Sequence, residues 1–82
     1  MNRDVRLVKV IADLAIFLEF TDDDHLDPDI AVDAMEQMAA ELQLLDEKEK
    51  DELVNIFKDI SSQYEGDKCE YVRDLPESLG LV

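Results

Sequence analysis

The apolar positions Val5, Leu7, Val8, Val10, Ile11, Leu14, Ala15, Ile16, Phe17, Leu18 and Phe20 cover most of a helical wheel. Arg6, Lys9 and Asp13 form only a narrow polar stripe at spacings of three and four. This pattern predicts a helix over residues 4–20. A helix apolar on nearly all sides is buried on nearly all sides, so it is expected at the centre of the fold or shared with a second copy of the chain.

A second helix is predicted over residues 28–45. Asp27 suits the N-cap, Pro28 suits the first helical position, and Asp29 opposes the helix dipole. Its apolar face is Ala31, Met35, Met38, Leu42 and Leu45. A third helix is predicted over residues 46–65. Asp46 and Glu49 have the spacing of a capping box, and Leu53, Ile56, Phe57, Ile60 and Tyr64 follow at steps of three and four. Gly66 is the expected stop. A short fourth helix is predicted over residues 67–74, broken by Pro76, with Leu75, Leu79 and Leu81 docking the tail on the core.

The expected fold is all-α: a small helical bundle of three main helices plus a short C-terminal helix, forming a single domain over residues 1–82. Two Gly and two Pro are too few for the many turns of an all-β fold. With 82 residues the core must be small, but 46% hydrophobic content is that of a folding chain.

Charge changes the picture more than length does. The formal net charge is −14, from 22 acids against 8 bases. That charge disfavours nucleic acid and anionic membrane surfaces and favours cationic partners. Its distribution is uneven. Fourteen acids and two bases lie between Glu19 and Glu52, whereas the rest of the chain is nearly balanced. The stretch "EFTDDDHLDPDIAVD", residues 19–33, holds seven carboxylates and no Lys or Arg. Asp29, Asp33 and Glu36 fall on one side of the second helix. Like charges at such spacings destabilise a free helix by up to about 0.5 kcal/mol per pair. A basic partner would offset that cost. A merely solubilising acidic surface is the plain alternative.

Specific chemistry finds little footing. A calcium loop needs oxygen ligands at positions 1, 3 and 5, a Gly at 6 and a Glu at 12. Counting from Asp22 puts Leu26 at 5 and Asp27 at 6; counting from Asp23 puts Pro28 at 6 and Ala34 at 12. His25 and Cys69 are too few for a closed zinc site. There is no triad pattern and no Gly-rich phosphate loop. No metal, no cofactor and no enzymatic activity are therefore expected. The one cysteine cannot form an internal disulfide. The longest uncharged run in the first helix, Leu14 to Leu18, is too short for a membrane span. A cytoplasmic protein is the expected setting.

Size and acidity also suit acyl carrier proteins, which carry Asp-Ser-Leu at the start of their second helix. Here that helix begins "DPDIA", and the nearest match, Glu77-Ser78-Leu79, lies close to the C-terminus. In size, charge, helical make-up and the "TDDDHLDPD" loop leading into an acidic helix, the chain resembles the immunity proteins of bacterial toxin systems. The likeness is one of type over the whole chain, with no alignable motif. It implies a stoichiometric binding protein that neutralises a basic toxin, such as one acting on nucleic acid, through a carboxylate-rich surface. Asp22, Asp23, Asp24, Asp29, Asp33 and Glu36 would then steer and pair with the partner, and Tyr64 and Tyr71 are candidate aromatic anchors. The alternative is a homodimeric adaptor or regulatory subunit that uses the hydrophobic face of helix 1 or the Met35/Met38 pair.

Overall fold

A computed structural model describes residues 3–82. They form four helices: α1 (Arg3–Phe20), α2 (Pro28–Leu42), α3 (Glu47–Ser61) and α4 (Asp67–Ser78). The helix starts follow from local side-chain chemistry. The Asp27 carboxylate accepts a 2.9 Å bond from the Asp29 N–H, with Pro28 in the first turn of α2. At α3 the capping box is complete. Asp46 Oδ1 accepts from the Glu49 N–H at 2.8 Å, and Glu49 Oε1 accepts from the Asp46 N–H at 3.2 Å. Each such bond satisfies an N–H that the helix cannot pair internally.

The helix ends differ from the sequence pattern. α2 stops at Leu42 and residues 43–45 form a turn; α3 stops at Ser61, with Gly66 instead at the N-cap of α4 with φ +58°. Pro76 does not break α4, which runs twelve residues to Ser78. Proline lies in the last turn, where only one intrahelical donor is lost, and its ring is buried. The chain then closes in a Schellman motif. Leu81 N–H donates to the Pro76 carbonyl at 2.8 Å, Gly80 N–H donates to the Glu77 carbonyl at 3.1 Å, and Gly80 takes φ +73°. The motif turns Leu81 back onto the core, where it is buried.

The core is built by three helices. α1 contributes Val8, Ala12 and Ala15; α3 contributes Val54, Phe57 and Ile60; α4 and the tail contribute Val72, Leu75, Leu79 and Leu81. The two alanines let α1 approach its neighbours closely. α1 packs against each of the other three helices, and α3 and α4 make the most extensive pair. α2 contributes no fully buried residue. Its Met35, Met38, Ala39 and Leu42 lie half-buried against the outside of the core.

α1 is central, but it is not buried on nearly all sides. Leu7, Val10, Leu14 and Phe17 are each 51–56% exposed. Val8, Ala12 and Ala15 point into the core, and these four lie on the opposite side of the same helix. No helix among the described residues is long and apolar enough to cross a membrane.

Candidate partner-binding groove

The acidic stretch begins where α1 ends. Thr21 closes that helix: its N–H and its hydroxyl both donate to the Phe17 carbonyl, at 3.2 and 2.5 Å. A single tight turn follows. The Asp22 carbonyl accepts from His25 N–H at 3.1 Å and from Leu26 N–H at 3.0 Å. Asp22 Oδ1 accepts from the His25 N–H at 3.1 Å and lies 2.6 Å from His25 Nδ1. Asp22 is thus committed to holding the turn, and Leu26 beyond it is half-buried. Asp23 and Asp24 are left at the tip, facing solvent.

Asp29, Asp33 and Glu36 are all exposed on α2. The ion pairs among the described residues are Lys9 with Asp13, Asp22 with His25, Lys50 with Glu47 and Arg73 with Asp74. No Lys or Arg of the described chain therefore pairs with Asp22, Asp23, Asp24, Asp29, Asp33 or Glu36. These carboxylates face solvent, and Asp22 alone among them has a titratable partner, His25.

Between α2, the C-terminal end of α1 and α4 lies an open groove of about 370 Å³. Its apolar lining comes from Leu18, Ala31, Val32, Met35 and Ala39, and Glu19, Glu36, Tyr71 and Ser78 complete it. Glu36 sits where the α2 carboxylate stripe meets this groove. Tyr71 stands half-buried on α4, its ring edge-on to Phe20 with centroids 5.5 Å apart, and its hydroxyl 3.4 Å from the Ala15 carbonyl. Burial first, and the Glu19 carboxylate second, push the Tyr71 hydroxyl up to about 12. Glu19 was absent from the residues that spacing singles out. It joins Tyr71 only because α1 and α4 pack side by side.

Tyr64 lies elsewhere, on the Lys9 and Asp13 flank of α1. Its hydroxyl donates to Asp13 Oδ1 at 2.5 Å and accepts from Lys9 Nζ at 3.2 Å, and Lys9 Nζ stands 4.7 Å from the ring centroid. Desolvation leads in raising the Tyr64 hydroxyl above its usual range, with the Asp13 hydrogen bond next. The hydrogen bond to Tyr64 is the main cause that raises Lys9. The two tyrosines therefore occupy separate places, and only Tyr71 borders the acidic face.

His25 is exposed in the loop, and Cys69 is half-buried on α4. Among the described residues no group of three or more His, Cys, Asp and Glu side chains is gathered to hold a metal ion. No protein-family model, curated protein or solved structure matches this chain.

Proposed function

We propose that the protein is a stoichiometric acidic binding protein, an immunity protein that neutralises a basic toxin in the cytoplasm. One observation carries the reading. The carboxylates of Asp23, Asp24, Asp29, Asp33 and Glu36 face solvent without a Lys or Arg of the described chain beside them, and Glu36 borders an apolar groove walled by Tyr71. A basic surface that docks here regains the charge pairing the free protein lacks, while the groove offers apolar area to a side chain of the partner. Charge of this kind speeds association and selects the sign of the partner; the buried aromatic and aliphatic contacts hold the complex. The protein acts by occupancy and turns over no substrate. Nucleic acid and anionic membranes are disfavoured by the same field.

The test is neutralisation in the cell. The product of each neighbouring reading frame is expressed with and without the chain, and growth is measured; one of them is expected to be toxic alone. Protection is expected from the parent chain. It should be lost with Asp23→Asn, Asp24→Asn, Asp33→Asn and Glu36→Gln combined, and the purified complex should weaken steeply as salt rises. If the fourfold amide variant protects as well as the parent, the reading fails.

A further inference from the structure

Leu7, Val10, Leu14 and Phe17 follow one another at steps of three, four and three, which place them along one face of α1. Each is about half exposed, and helical spacing turns the face they form away from the core. The step pattern reads the same in both directions. A stripe of this kind fits a second copy of itself across a two-fold axis: Leu7 meets the partner subunit's Phe17, and Val10 meets the partner subunit's Leu14. The stripe spans about 15 Å, close to three helical turns.

Charge selects the direction. Arg3 and Arg6 stand at the N-terminal end of α1, and helical spacing puts both beside the stripe. Positive charge there opposes the helix's own dipole. The other end has the reverse defect, with no basic residue in the last turn and Asp22, Asp23 and Asp24 just beyond it. A parallel pair would stack arginine on arginine and acid on acid. An antiparallel pair lays Arg3 and Arg6 of each copy against the negative end of the other. From the palindromic stripe and the opposed charges of its two ends, we infer that the protein is a homodimer with α1 packed antiparallel against α1 of a second copy.

This inference goes beyond the acidic-face reading and shares with it only Asp23 and Asp24 at the loop tip, so the stripe variants, not the loop variants, tell the two apart. Of the α2 carboxylates, Glu41 comes to the edge of the stripe, lining an open groove with Ile11. A stripe substitution alters no acidic residue, so loss of the dimer and loss of toxin binding are separable.

Sedimentation equilibrium of the full chain, at up to about 100 μM, tests it; a dimer with a Kd of about 1 μM is almost fully formed there. The expected mass is twice that of the 9.4 kDa chain. Leu14→Glu, which faces away from the core, should give a monomer with an unchanged far-UV spectrum, and Val10→Glu should do the same. Arg3→Glu with Arg6→Glu should weaken the dimer at least tenfold. Adding Asp23→Lys and Asp24→Lys to that chain should restore it. A monomeric parent chain overturns the inference, as does a dimer indifferent to Leu14→Glu. A dimer that the combined reversal fails to restore overturns the antiparallel arrangement.

Discussion

Gln43 Nε2 donates a 2.9 Å hydrogen bond to the carbonyl of Leu79, joining the end of α2 to the end of α4. A Cβ built on the neighbouring Gly80 would lie 2.5 Å from that same nitrogen. The glycine therefore serves twice: it takes the positive φ of the Schellman motif and leaves room for the glutamine. Gly80→Ala should cost roughly 1–2 kcal/mol from the left-handed backbone alone. Gln43→Ala should cost about 1 kcal/mol through the lost hydrogen bond. In the double variant the two losses should sum to less than their separate values, because alanine at residue 80 already displaces the amide. Urea unfolding of the four chains measures this, and full additivity would exclude a shared interaction.

The capping box at Asp46 makes a prediction of a different kind. Many carboxylates of this chain stand in solvent, so most Asp→Ala changes should raise stability slightly or leave it alone by relieving repulsion. Asp46→Ala should instead lower it by about 1 kcal/mol, and Asp27→Ala should lower it similarly. Asp23→Ala and Asp33→Ala serve as controls. Thermal melts of the four variants give the comparison; a destabilised Asp23→Ala would mean that the loop tip has a structural part.

Tyr71 fixes an alkaline limit. Its hydroxyl is raised from 10.0 to about 12 in the folded protein. Below pH 10 the phenol is neutral in both states and pH has no effect through it. Between 10 and 12 the unfolded chain gains by ionising while the folded one does not, so stability falls as pH rises through that window. Tyr71→Phe should make the fall shallower. Tyr64 and Lys9, both also raised, add to the slope with the same sign. Absorbance at the tyrosinate band should show a transition near pH 12 that is missing in Tyr71→Phe.

Amide hydrogen exchange should rank the helices. α2 has no fully buried residue, whereas α3 and α4 pack extensively on each other. Open grooves of about 370 and 380 Å³ flank α2, the second lined by Ile11, Ala34, Gln37, Met38, Glu41 and Leu42. Regions with few buried apolar contacts open without global unfolding. Protection in α2 should be at least tenfold weaker than at Phe57 and Ile60 in α3. Equal protection would mean that all four helices unfold as one unit.

The sequence announced helix starts better than helix ends for a physical reason. A start is written in side chains that bond the local backbone, as at Asp27-Pro28 and Asp46 to Glu49. An end depends on where packing ceases to reward another turn, so residues 43–45 and 62–65 fall outside the helices their spacing suggested. Pro76 misled because proline breaks a helix by removing a donor, and in the final turn little remains to break. The α1 pattern was legible as a helix, but its wheel cannot say which apolar face meets the core. Ala12 and Ala15 decide that by allowing close approach. The carboxylates of the candidate site were plain in the charge pattern. The meeting of Glu19 with Tyr71 was not, since it spans 52 positions of the chain and arises from the packing of α1 beside α4.

α2 carries the outward carboxylates yet lends nothing fully buried to the core. Its outer face can therefore accept substitution after substitution with little penalty to folding. Change can accumulate there while α1, α3 and α4 stay as they are, and diversity should collect on the helix the core can best spare.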